Sequence, residues 1–283
     1  MTYRQLLNTA KKLLQDTDDG AFCALQLLQS VYSFSHEFFL LHDSEQADND
    51  LAEQYFALCQ KRKNGYPLQY LIGSWDFLSY TFSVGEGVLI PRADTEAVVL
   101  QGLSLIEQLP SPVVADLCSG SGCIAVAIAK ERPDSLVTAV ELSPKALVYL
   151  EQNVKLNKCD NLSLVNADIL TWTPDIQFDL VISNPPYISK KDMAELQAEV
   201  RYEPEMALFG GDDGLDFYRQ ITAHIYPFIK EGGFLIFELG YDQYDAVETI
   251  LHDNGFTDIS FILDYNGIKR GISASPPTNR RGK

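Results

Sequence analysis

The segment Phe178-Asp179-Leu180-Val181-Ile182-Ser183-Asn184-Pro185-Pro186-Tyr187 runs from an apolar stretch into a stiff corner. Its first half has the length and character of a buried strand. Each proline then fixes its own φ and lacks an N–H, and each residue ahead of a proline is pushed out of the helical region. Asn184 and Pro185 both precede a proline, so their carbonyls point in nearly fixed directions. Asn184 adds a carboxamide oxygen and Tyr187 a flat ring. Two acceptors beside an aromatic plate suit a planar NH2 group held by both hydrogens, as on an amide, a nucleobase or a guanidine. A proline-rich turn with a packed tyrosine would serve the same residues, so the decision rests with what lies upstream.

Upstream, residues 113–117 read as a buried strand that enters Cys118-Ser119-Gly120-Ser121-Gly122 and then an apolar helix over 123–130. Glycines at a strand-to-helix turn let the backbone approach a ligand, and the helix N-terminus offers free N–H groups. Gly120-x-Gly122-x-x-Ala125 also fits a relaxed dinucleotide fingerprint, which keeps a nicotinamide-dependent oxidoreductase open. The next strand, 136–140, ends in Glu141, and Ser143-Pro144 opens the following helix. A carboxylate at that position can accept both ribose hydroxyls of an adenosine cofactor, a reading preferred over support for the helix N-terminus. A third strand, 162–165, leads to Asp168-Ile169, placed either to border an adenine or, for Asp168, to cap a turn.

The remaining pattern completes a sheet. A helix is expected over 214–229, a strand over 234–239 opened by Gly232-Gly233, and a helix over 242–252. Strands 259–263 and 269–273 flank Asn266-Gly267, a tight-hairpin signal. Seven strands ending in an antiparallel hairpin differ from the six parallel strands of a standard dinucleotide fold. Right-handed crossovers would bring the glycine turn and Asn184 to the carboxyl ends of their strands, beside one crevice.

The chain of 283 residues, 46% hydrophobic and 22% charged, has room for one or two cores. Its net charge of −17 makes it a poor general binder of nucleic acid, whose phosphates attract cationic surfaces. Five cysteines (Cys23, Cys59, Cys118, Cys123, Cys159) form no C-x-x-C pair, and four histidines show no metal-ligand spacing. Reduced thiols, a cytoplasmic location and no metal site are expected, and no apolar run has the length to span a bilayer or resembles a secretory leader.

Residues 1–69 read as a helical bundle. Thr2-x-x-Gln5 can close a capping box ahead of Leu6, Leu7, Ala10, Leu13 and Leu14. Further helices fit 22–32 and 36–41, and a fourth starts at a box Asp50-x-x-Glu53 and ends at Lys61-Arg62-Lys63, before Asn64-Gly65. Alternation over 70–84 suggests a β-hairpin linker, taken as 70–90, leaving 91–283 for the catalytic domain. Arg92 reads as a solvated or salt-bridged side chain, Arg201 and Glu203 as a surface ion pair or a pair ordering a loop over the site. Residues 276–283 read as a polar tail.

Taken together, these segments resemble a class I S-adenosylmethionine methyltransferase, and more narrowly the HemK/PrmC family, over nearly the whole chain. The resemblance rests on Tyr70-Leu71-Ile72-Gly73, Leu89-Ile90-Pro91-Arg92 with Asp94-Thr95-Glu96, the glycine turn, and Asn184 to Tyr187. Arg201-Tyr202-Glu203-Pro204 and Gly214-Leu215-Asp216-Phe217-Tyr218 complete it. It implies a Rossmann-like sheet of seven strands beside an N-terminal substrate-recognition bundle. The implied reaction methylates the glutamine side-chain amide in the GGQ motif of peptide-chain release factors, with S-adenosyl-L-methionine as donor and S-adenosyl-L-homocysteine as product. By the same resemblance, Cys118, Ser119, Gly120, Ser121 and Gly122 would cradle the methionine moiety, Glu141 the ribose, and Asp168 and Ile169 the adenine. Asn184, Pro185, Pro186 and Tyr187 would receive the substrate amide, with Asn184 also bordering the cofactor, and Asn184, Pro185 and Tyr187 would carry the chemistry. Cys118 stands where the family commonly has glycine, and Glu141 where aspartate is frequent; a negative φ at Cys118 would keep its backbone within reach. A release factor as partner and a monomer are expected. An adenine or guanine amino-methyltransferase shares the Asn-Pro-Pro-Tyr corner and is the alternative, followed by a catalytically silent methyltransferase-like binding module.

Overall fold

The computed structural model describes residues 1–277, so the expected polar tail lies outside the described residues from position 278, and Pro276 at its start is buried. Contacts divide the chain into two compact units, residues 1–74 with 197–202 and residues 75–196 with 203 onward.

The first unit contains α1 (Tyr3–Leu13), α2 (Gly20–Tyr32), α3 (His36–His42), α4 (Asn49–Lys63) and α5 (Leu68–Ile72). The Thr2/Gln5 capping box closes in both directions, so two orphan donors at the start of α1 are satisfied. Leu6, Leu7 and Ala10 of α1, Leu27 and Leu28 of α2 and Tyr55 of α4 are buried, and the Tyr55 hydroxyl donates to the Ala24 carbonyl at 2.9 Å. Two details differ from expectation. Asp48, not Asp50, caps α4, accepting from the Leu51 N–H. Residues 68–72, of which 70–72 are expected in the hairpin linker, form a single helical turn, because Pro67 starts it and Gly73 ends it at φ +81°. The hairpin is confined to β1 (Ser74–Phe77) and β2 (Tyr80–Ser83).

The second unit is built on seven strands: β3 (Val113–Leu117), β4 (Leu136–Glu141), β5 (Leu162–Asn166), β6 (Phe178–Ser183), β7 (Ile229–Glu238), β8 (Thr257–Leu263) and β9 (Lys269–Ser275). Their order is β5-β4-β3-β6-β7-β9-β8, and β9 runs antiparallel to both its neighbours. The helices α6 (Asp94–Leu105), α7 (Cys123–Glu131), α8 (Pro144–Asn157), α10 (Asp216–Ile225) and α11 (Tyr244–Asp253) accompany the sheet, with a short α9 (Lys190–Met193) after the Pro-Pro corner. Val114, Ala115, Val140, Leu180, Val181, Ile182, Ile236 and Phe237 are 0% exposed, the near-continuous apolar run of strands covered on both faces. β7 begins at Ile229, earlier than expected, and contains Gly232-Gly233. A Cβ at Gly233 would stand 3.0 Å from the carbonyl oxygens of Phe178 and Asp179, so glycine admits the register shift opposite Phe178 and Leu180.

Candidate active site

Register places the site. Leu117, the last residue of β3, pairs with Ser183, the last of β6, and the Ser183 hydroxyl donates to the Leu117 carbonyl at 2.6 Å. Cys118 and Asn184 therefore leave adjacent parallel strands at the same level, at the carboxyl-end position where open α/β sheets bind ligands. One cleft is lined by Cys118, Ser119, Gly120 and Ser121 from the turn, by Glu141, Asp168 and Ile169, and by Asn184 and Pro186. Gly122, Pro185 and Tyr187 stand outside the lining.

The turn is held by backbone conformations that most side chains avoid. Gly120 and Gly122 lie at φ +55° and +81°, and Cys118 lies at φ +59°. The negative φ that would have kept the Cys118 backbone within easy reach is not met: the chain reverses here, and a left-handed cysteine costs roughly 1 kcal/mol where glycine would not. The Cys118 thiol is pushed well up, first by burial and then by the charge of Glu141, so it stays neutral. Gly122 is the N-cap of α7 and brings no side-chain acceptor to it. Beneath the turn, Asp116 accepts the Ala125 N–H at 3.2 Å with one oxygen, while its other oxygen is buried without a partner. Burial pushes this carboxyl up to about 8.

Glu141, 8% exposed, takes the Gly120 N–H on one oxygen and the Ser143 N–H on the other, both at 2.7 Å. It ties the glycine turn to the start of α8 and still faces the cleft with lone pairs to spare. Asp168 accepts the Leu170 N–H at 3.0 Å, so it caps its own turn and lines the cleft at once. Ile169, 6% exposed, adds an apolar wall.

At the opposite wall, Asn184 directs its Nδ2 toward the Thr95 hydroxyl at 3.5 Å, and among the described residues its Oδ1 receives no hydrogen bond. Pro185 and Pro186 are buried. Tyr187 packs against the sheet core, its carbonyl accepting from Gln243 Nε2 at 2.9 Å, and burial pushes its hydroxyl up. A Cβ on Gly210 would come within 2.7 Å of the Pro186 carbonyl and the Tyr187 backbone, so the chain crossing behind the corner must be glycine there.

Several residues of the cleft had no assigned role in the sequence reading: Leu89, Ile90 and Pro91, Thr95, Leu142, Met206, Ala207 and Phe217. Glu203 pairs with Arg92 and takes the Ile90 N–H at 3.0 Å, a partnership the sequence did not suggest. Its carboxylate is 2% exposed, so it pins the Pro204–Ala207 segment of the lining to the Leu89–Arg92 segment. A distant charge pair of this kind has no local signature. Glu238 does: it ends an apolar strand beside the strand of Asn184, the same signal that singled out Glu141.

These residues fit an adenosyl cofactor. A carboxylate with free lone pairs suits ribose hydroxyls, Ile169 and Leu142 suit an apolar ring, and the turn presents backbone where a Cβ is missing.

Comparison with known proteins agrees with the geometry. The model of the PrmC N-terminal domain matches residues 5–73, and that of the methyltransferase small domain matches residues 96–201. The release factor glutamine methyltransferase of Clostridium acetobutylicum is 35% identical over 280 residues, covering 97% of this chain and 98% of its own. That of Fusobacterium nucleatum is 40% identical over 245 residues, covering 86% of this chain and 67% of its own. Among solved structures, the hMettl16 catalytic domain in complex with MAT2A 3′UTR hairpin 6 has a TM-score of 0.59 at 14% identity. It covers 83% of this chain and 84% of that one, a likeness of fold alone. Sheet order, cleft and matched domain make the chain a methyltransferase. It belongs to the release factor glutamine methyltransferase family.

Proposed function

We propose that this protein transfers a methyl group from S-adenosyl-L-methionine to the side-chain amide nitrogen of the glutamine in the GGQ motif of a peptide-chain release factor. The observation that carries the reading is the Leu117–Ser183 register, which sets the glycine turn and Asn184 at one cleft. Bound S-adenosyl-L-methionine supplies an electrophilic methyl group on a positively charged sulfur.

An amide nitrogen is a poor nucleophile because its lone pair is delocalised into the carbonyl. Asn184 Oδ1 and the Pro185 carbonyl accept the two N–H hydrogens, turn the lone pair toward the methyl donor and stabilise positive charge growing on nitrogen. The two prolines hold these acceptors in place, so orientation supplies most of the acceleration. No general base is needed before transfer, because the methylated nitrogen sheds its extra proton readily. Glu141 holds the ribose, Asp168 and Ile169 border the adenine, and residues 118–122 support the methionine moiety. Glu203, by tying Arg92 and Ile90 to the segment carrying Met206, holds two segments of the cleft lining together. The helical unit over residues 1–69 grips the release factor; Leu40 and Leu41 there are 62% and 80% exposed, apolar surface suited to a protein partner. The catalytic domain follows from residue 91. The protein acts as a monomer in the cytoplasm, and no helix among the described residues is long and apolar enough to cross a membrane.

The test is transfer of labelled methyl to a purified release factor, to that factor with its GGQ glutamine changed to alanine, and to bulk DNA and rRNA. Label on the intact factor alone is expected. Label on nucleic acid would leave the Asn184 chemistry standing and overturn the substrate.

A further inference from the structure

Asn184 can work only one way round. Its oxygen must face the substrate NH2, since its own NH2 would meet donors with a donor. A carboxamide is nearly symmetric in shape, so shape alone does not choose between the two orientations. The choice has to come from a neighbour that accepts but does not donate.

Thr95, on the first turn of α6, stands 3.5 Å from Asn184 Nδ2 and is 1% exposed. A hydroxyl could donate to Asn184 as readily as accept from it. The Thr95 hydroxyl has one proton, and it is committed: it goes to Glu238 Oε2 at 2.5 Å. Glu238 ends β7, the strand beside β6, and is itself 1% exposed. With its proton spent on a carboxylate, Thr95 shows Asn184 only lone pairs. The reversed carboxamide would press oxygen against oxygen with no proton between them.

We propose that Thr95 and Glu238 form a positioning relay that fixes the Asn184 carboxamide with its oxygen toward the substrate amide. This rests on the reading of Asn184 as the amide acceptor and adds two residues to it. Neither touches the reacting atoms. Thr95 lines the cleft with Asn184, and Glu238 is not part of the lining.

The relay works only while Glu238 is ionised. A protonated Glu238 can donate to Thr95, which frees the threonine proton for Asn184 Oδ1 and turns the carboxamide round. Burial pushes this carboxyl up to about 7. Around it, Asp94 of α6 adds to the rise, whereas the hydrogen bond from Thr95 and the charges of Arg92 and of Arg270 on β9 oppose it. The Tyr218 hydroxyl of α10 donates to the Glu238 backbone carbonyl at 2.8 Å, and the Tyr187 hydroxyl and the Cys123 thiol of α7 stand near the carboxyl as neutral groups, each held protonated by burial. Methyl transfer therefore rises with pH as Glu238 loses its proton.

The experiment compares wild type, Thr95→Val, Thr95→Ser, Glu238→Gln and Asn184→Ala, measuring kcat with purified release factor from pH 6 to 9 and S-adenosyl-L-methionine affinity by calorimetry. Thr95→Val keeps the shape without the hydroxyl; kcat is expected to fall about 10- to 100-fold, the scale of a misplaced catalytic group. Cofactor affinity should stay within about twofold, and Thr95→Ser should restore most of the loss. Glu238→Gln should lower kcat and abolish its rise near pH 7. A Thr95→Val enzyme with more than half the wild-type kcat would overturn the relay. So would a serine variant no better than valine, parallel loss of cofactor affinity, or an unchanged pH profile in Glu238→Gln. An Asn184→Ala enzyme that still methylates, or a wild type inert toward the factor, would instead overturn the reading beneath it.

Discussion

The two walls of the cleft achieve rigidity by opposite means. The cofactor side is shaped by backbone: three left-handed residues, Cys118, Gly120 and Gly122, set the turn, and backbone N–H groups brace the Glu141 carboxylate on both oxygens. The substrate side is one side chain, Asn184, on a corner stiffened by Pro185 and Pro186. A surface made of backbone tolerates changes of side chain and fails when a Cβ intrudes. A surface made of one carboxamide tolerates nothing at that residue and depends on its neighbours for orientation.

The sharpest way to break this contrast is Asn184→Ala. Loss of transfer by about 10²- to 10³-fold or more is expected, the scale of removing one preorganised hydrogen-bonding group. Calorimetry should find cofactor affinity within about threefold of wild type. Equal damage to both would merge the two walls into one unit. The mirror experiment is Gly122→Ala. A Cβ there would stand 2.2 Å from Leu150 Cδ1 on a residue at φ +81°. Roughly 1–3 kcal/mol of stability should be lost, with weaker cofactor binding, read by chemical denaturation and calorimetry. A variant as stable as wild type would show that the turn does not depend on its glycine.

A smaller effect tests the underside of the turn. The Asp116 carboxyl sits at about 8 in the folded protein against an ordinary 3.8, and Glu238 at about 7 against 4.5, both raised by burial. Each binds a proton more tightly folded than unfolded, so each favours folding below its ordinary value and loses that contribution as pH rises through its folded value. Melting temperature should therefore fall from pH 5 to pH 9. Asp116→Asn carries no titrating proton and should flatten the fall, leaving the part due to Glu238. A slope as steep as wild type in that variant would place the titration elsewhere.

Much of this was legible in the sequence, and the exceptions have a common cause. The seven strands, the antiparallel hairpin at Asn266-Gly267 and the cleft between Cys118 and Asn184 follow from local signals: apolar runs, glycine turns and right-handed crossovers. The helical turn at residues 68–72 was missed because five residues carry too little periodicity to outweigh the alternation that follows. The Arg92–Glu203 clamp and the Thr95–Glu238 contact were missed because each joins residues more than a hundred positions apart. Spacing along a chain reports faces of helices and strands; it does not report which side chains meet across a sheet.

The smallest expected effect is the most informative about the backbone wall. Cys118 holds φ +59° without the freedom of glycine, and its carbonyl and thiol lie where the turn begins. Cys118→Gly relieves the left-handed strain but loosens the unfolded chain and deletes a thiol in apolar surroundings, so the gain should be under about 1 kcal/mol. If the turn recognises its ligand through backbone alone, cofactor affinity should hold within about twofold while denaturation shifts slightly to higher denaturant. A loss of affinity at unchanged or greater stability would mean that the cysteine side chain shapes the pocket. The cofactor wall would then share with Asn184 the dependence on a single side chain that now separates the two.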